Sequence, residues 1–61
     1  MPYVNVKLVG EISREQKQKI AEEITATLQR HAHKTPQYTY ITFEEVALED
    51  WAIAGRLLDG G

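Results

Sequence analysis

The segment from Ser13 to Lys34 constrains this chain most, because it reads as one amphipathic helix standing between two stretches of alternating residues. Ile20, Ala21, Ile24, Leu28 and Ala32 fall on one helical face, while Lys17, Lys19, Glu22, Glu23, Gln29 and Arg30 are left mostly to solvent. Ser13-Arg14-Glu15-Gln16 fits a capping box, in which the Ser13 hydroxyl takes the Gln16 amide and the Gln16 side chain reaches back. A helix should therefore start at Arg14. Pro36 disfavours helical backbone at Thr35, so the helix should fray between His31 and Lys34.

On the N-terminal side, Val4, Val6 and Leu8 alternate with Tyr3, Asn5, Lys7 and Val9, the period-2 pattern of a strand. On the C-terminal side, Tyr38 to Val46 is dense in β-branched and aromatic residues, with Ile41 and Phe43 on one face and Tyr38, Tyr40 and Thr42 on the other. A strand, a helix of about twenty residues and a second strand make a right-handed β-α-β unit with the two strands parallel. The expected fold class is α+β, a single domain over 1–61 with no repeat, linker or low-complexity segment.

Sixty-one residues bury only about 60% of the surface exposed on unfolding, so the chain's own core is marginal. Without cysteine there is no disulfide to supplement it, and oligomerisation remains. Two parallel strands with one helix also leave a sheet face uncovered, whereas parallel sheets are found almost only with both faces covered. That face carries Tyr3, Val9, Tyr38 and Tyr40, large and partly apolar, and a second copy is expected to cover it. After Val46 the chain should turn back over Ala47 to Gly55, and Trp51-Ala52-Ile53-Ala54 is apolar enough to dock onto a neighbouring subunit.

The net charge is -2, and the seven basic residues are scattered from Lys7 to Arg56 without interleaved aromatics, which argues against a nucleic-acid groove. The first residues lack the charged and apolar regions of a signal peptide, and no run approaches the ~20 apolar residues of a membrane span. A soluble, cytoplasmic protein is expected.

Position 2 is chemically unusual. If Met1 is removed, as is general before a small residue or proline, Pro2 presents a secondary amine held by its ring; if Met1 stays, the same nitrogen is an amide without basicity. A free terminal amine has a pKa of about 7.7 to 8.0, which apolar surroundings or nearby positive charge lower, favouring the neutral form. Such an amine suits enolisation, where a base near neutrality moves a proton between atoms of a substrate. A proline near a terminus can also do no more than discourage helix. What singles out Pro2 is that it leads directly into the first strand of a short β-α-β chain that must oligomerise.

Met1-Pro2-Tyr3-Val4-Asn5-Val6-Lys7, Ser13-Arg14-Glu15-Gln16-Lys17, Glu44-Glu45-Val46 and Glu49-Asp50-Trp51-Ala52-Ile53-Ala54-Gly55 together resemble the 4-oxalocrotonate tautomerase family over nearly the whole chain. The resemblance implies a β-α-β subunit of the tautomerase type, a sheet completed by dimerisation, and a homo-oligomer that is a dimer or a trimer of dimers. It implies Pro2 as the catalytic base and Trp51 as an apolar wall beside it. The two family arginines that hold substrate carboxylates fall here at Ile12 and, across a one-residue gap near Pro36, at or next to Tyr40. Their absence removes the charge-assisted contacts that position dicarboxylates such as 2-hydroxymuconate. Tyr40 could donate a hydrogen bond to a carbonyl or enolate oxygen, and Arg14 or Arg56 of a neighbouring subunit could supply a cation.

Other polar clusters have plainer readings. His31-Ala32-His33 is spaced i,i+2, which splits the rings between sides of a helix, so no metal is expected. Glu44-Glu45 and Glu49-Asp50 read as a solvated edge or a turn cap, and the Gly60-Gly61 tail forms no phosphate loop. The expected function is a cofactor-independent tautomerase acting on a small 2-keto or enol acid. The alternative is a tautomerase-fold subunit that has lost catalysis and serves assembly or small-molecule binding.

Overall fold

The computed structural model describes residues 1–60; Gly61, the end of the glycine tail, lies outside them. Strand β1 spans Tyr3–Val9, helix α1 Arg14–Ala32 and strand β2 Tyr40–Val46. The strands pair in parallel, with Tyr3 opposite Tyr40, Val6 opposite Phe43 and Val9 opposite Val46. The β-α-β unit is thus formed as the alternation predicts. Val4, Val6 and Leu8 on β1 and Ile41 and Phe43 on β2 are half-buried, as are Ile20, Ala21, Ile24 and Leu28 of α1. Ala32, the last member of the expected stripe, is exposed in the final helical turn.

The helix ends are built by local hydrogen bonds. At the start, the Gln16 N–H donates to Ser13 Oγ at 3.1 Å and the Ser13 N–H donates to Gln16 Oε1 at 2.8 Å. This reciprocal capping box satisfies two amides that have no intrahelical partner. At the far end, His33 is in the left-handed region with φ 57°, and its N–H reaches the Gln29 carbonyl at 3.1 Å. Histidine is among the residues enriched in that region.

Two expectations need correction. The second strand begins at Tyr40, because Pro36–Tyr38 forms a turn of 3₁₀ helix. Proline at its first position presets the backbone angle, Tyr38 N–H bonds the Thr35 carbonyl at 3.0 Å, and Tyr38 therefore stands outside the sheet. Lys17, expected in solvent, makes an ion pair with Glu45 at 3.6 Å.

Beyond β2 lies an arm that periodicity did not resolve into elements. Leu48–Asp50 forms a second 3₁₀ turn, and Ala52–Ile53 and Arg56–Leu57 pair antiparallel as β3 and β4. Ala54 and Gly55 connect them with φ values of 53° and 79°, both positive as the tight hairpin turn requires. Leu58 N–H closes the arm onto the Trp51 carbonyl at 2.9 Å.

Among the described residues no side chain is fully buried. The chain exposes 4901 Å², against about 4,000 Å² for a compact monomer of its 7.0 kDa mass. The difference, of order 900 Å², is close to the ~800 Å² that one partner contributes to a standard interface. The radius of gyration is 14.8 Å, where a compact chain of this length has about 10.5 Å. No helix among the described residues is long and apolar enough to cross a membrane.

Candidate functional site

Parallel pairing places Pro2 and Tyr40 together at the N-terminal ends of the strands. The Tyr40 N–H donates to the Pro2 carbonyl at 3.0 Å, one step ahead of the ladder, so the proline is anchored by the first residue of β2. Pro2 is half-buried, while Met1 before it is 84% exposed and Tyr40 is 51% exposed. Tyr3 and Tyr40 lie opposite one another on the open sheet face. The Tyr3 hydroxyl shares a hydrogen bond with Thr42 Oγ1 at 2.8 Å, and Asn5 Nδ2 donates to Thr42 Oγ1 and Glu44 Oε1, both at 2.9 Å. A polar ladder therefore runs along this face, and the Tyr40 hydroxyl is not part of it.

Ile12 and Trp51 stand at the other end. Ile12 follows the Gly10 turn after β1, where φ of 99° suits a residue without Cβ. Its N–H donates to Glu45 Oε2 at 2.9 Å. Trp51 is half-buried and lines a shallow groove with Lys7, Val46, Asp50 and Ala52. From the Tyr3 and Tyr40 pair to the Val9 and Val46 pair is six register steps, about 20 Å at strand rise. One chain thus brings together Pro2 with Tyr40, and separates both from Ile12 and Trp51. Arg14 opens the helix and Arg56 lies in β4, both exposed.

Glu44 and Glu45 point to opposite faces and have different partners. Glu45 accepts the Ile12 N–H and pairs with Lys17. The Ile12 N–H bond, followed by the Lys17 charge, holds its carboxyl below the ordinary value of 4.5 against the opposing effect of desolvation. Its role as a clamp on the turn between β1 and α1 was legible in principle. Glu45 shares the alternation phase of Ile41 and Phe43, so a charge there must face the helix side and find donors. Lys7 was likewise not singled out from the sequence, since only the folded arm brings Trp51 beside it.

His31 lies in the last turn of α1, where its Nε2 accepts from Arg30 Nε at 3.4 Å. Among the described residues no three His, Asp or Glu side chains gather as a metal-binding group.

Residues 2–59 match the family model described as Tautomerase enzyme. A protein described as a probable tautomerase, from Ralstonia nicotianae, is 40% identical over 57 residues, covering 93% of this chain and 88% of that one. The solved structure of YwhB, a homologue of 4-oxalocrotonate tautomerase, superposes with a TM-score of 0.89 at 27% identity, covering 98% of both chains. A heterohexamer 4-oxalocrotonate tautomerase from Chloroflexus aurantiacus shares the fold with a TM-score of 0.83 at 19% identity, covering 97% of this chain and 95% of that one.

Proposed function

The chain belongs to the tautomerase enzyme family, and from that premise we propose that it is a cofactor-independent keto-enol tautomerase of small 2-keto or enol acids. The base is the Pro2 amine, exposed by removal of Met1. The observation that carries this reading is the anchoring of Pro2 at the strand end, with its carbonyl held by Tyr40 N–H at 3.0 Å and its nitrogen on the side of the accessible Met1. A ring fixed in this way keeps its amine in one place from one encounter to the next.

The neutral amine takes the enol hydroxyl proton, and the ammonium returns a proton to the carbon alpha to the new carbonyl. No net proton is gained or lost. The Tyr40 hydroxyl donates to the developing enolate oxygen, and Trp51 supplies the apolar wall that favours a neutral amine.

Such a site needs a second subunit, since Pro2 and Trp51 of one chain stand at opposite strand ends. A two-fold axis through an open sheet edge makes the joined strands antiparallel and sets the Pro2 end beside the partner subunit's Trp51 end. The excess surface of the single chain supports a homo-oligomer, a dimer or a trimer of dimers. A heterohexamer among its fold neighbours is an oligomer on this fold.

The test is ketonisation of phenylenolpyruvate by the protein lacking Met1 and by a Pro2→Ala variant, with intact mass confirming the terminus of each. The variant is expected to be slower by about 10²–10⁴-fold; equal rates would sink the catalytic reading. Ile12 and Tyr40 in place of arginines favour the second reading, an inactive assembly or binding subunit, and two equally slow proteins would establish it.

A further inference from the structure

With no arginine at positions 12 or 40, the proposed site lacks its family's usual partner for a carboxylate. The groove beside Trp51 contains a cation that can take that role. Lys7 lies on the open sheet face near the C-terminal end of β1 and lines the groove with Trp51, Val46, Asp50 and Ala52. The acid opposite it in register is Glu44, whose Oε1 is engaged by Asn5 Nδ2 at 2.9 Å. The ion pair that Glu45 makes with Lys17 is on the helix side. Among the described residues the Lys7 ammonium has no ion pair or hydrogen bond, although it sits beside an aromatic ring that can shield a ligand from water.

We propose that Lys7 and Trp51 form the subsite for the substrate's carboxylate, Lys7 as the charge and Trp51 as the apolar floor for the carbon chain next to it. The proposal rests on the tautomerase reading and deepens it by naming what selects the substrate. A lysine is a point charge without the planar fork of arginine, so it holds one carboxylate without imposing bidentate geometry. The site accordingly favours monocarboxylates of varied shape over extended dicarboxylates. Asp50 in the same groove opposes any anion, and its neutralisation strengthens binding.

Trp51 is the only tryptophan in the chain, so its fluorescence reports occupancy of this groove without turnover. We would titrate the assembled protein with 3-phenylpropanoate and with its uncharged amide, in wild type, Lys7→Gln, Lys7→Arg and Asp50→Asn. The carboxylate is expected to quench saturably and to bind about tenfold tighter than the amide, a preference lost in Lys7→Gln and kept in Lys7→Arg. Asp50→Asn should bind the carboxylate more tightly than wild type. A carboxylate preference unchanged in Lys7→Gln overturns the proposal. Should Lys7→Gln fail to assemble, wild type decides, and equal affinity for carboxylate and amide, or no quenching, overturns it. The titration judges Lys7 whatever Pro2→Ala does to ketonisation. In turnover, Lys7→Gln should raise KM for phenylenolpyruvate about tenfold with kcat retained.

Discussion

The β-α-β unit and the arm that follows it are stabilised in different ways. The unit joins its strands by a parallel ladder, closes the start of its helix with a capping box, and half-buries Val4, Val6, Leu8, Ile41 and Phe43 while leaving Tyr3 and Tyr40 on its open face. The arm has backbone bonds of its own, from Asp50 to Ala47 and from Leu58 to Trp51, both at 2.9 Å. It turns its apolar side chains outward, with Leu48 49% and Ile53 62% exposed. A two-stranded hairpin alone is marginal in water. The unit is organised chiefly by its strand ladder and helix cap, whereas on the oligomeric reading the arm's apolar side chains find cover against another copy.

The contrast is open to attack by substitution. Phe43→Ala removes a ring from between sheet and helix and should cost the unit about 2–4 kcal/mol, toward the lower part of the range for a half-buried aromatic. Thermal melting at fixed protein concentration measures it, and a loss confined to a few tenths would mean that the unit is not held by this layer. Ile53→Asp places a charge on the outward face of the arm, where burial without a partner costs several kcal/mol only if the face is covered. Sedimentation should therefore show dissociation of the assembly, and an unaltered oligomer would erase the distinction between the two regions. Ser13→Ala deletes the helix cap and should lower stability by about 1 kcal/mol, with assembly unchanged at high protein concentration.

The smallest expected effect is on pH. The Glu45 carboxyl is held below its ordinary value by the Ile12 N–H and by Lys17, so the folded state favours its ionised form. The stabilisation is complete above the unfolded pKa near 4.5 and is lost as pH falls through the lower folded value. Melting followed between about pH 6 and about pH 3 should lose less stability in Glu45→Gln than in wild type. Parallel curves would remove the clamp from the account of the β1 to α1 turn.

Much of the unit was legible because its signals are local. Tyr3 to Val9 alternates cleanly, and Ser13 with Gln16 marks the helix start. The arm was less so, since its hairpin turn is Ala54-Gly55 rather than the Asn-Gly or Asp-Gly pair that announces such a turn. Tyr38 has the propensity of a strand residue yet lies in the 3₁₀ turn, because strand propensity and the 3₁₀ preference of Pro36 compete for the same residues. For the candidate site, Pro2 and Trp51 could be picked out one by one through resemblance, yet their separation along the sheet depends on strand register. Lys7 and Trp51 are 44 positions apart by their numbers, and no sequence period links them.

The lack of any fully buried side chain among the described residues ties the fate of a newly made copy to how many others surround it. On the oligomeric reading, folding is driven by mass action. A cell making few copies leaves them open to proteolysis, while a cell making more lets them protect one another. Steady-state amount then rises more steeply than synthesis, so a modest change in expression becomes a larger change in the number of working sites.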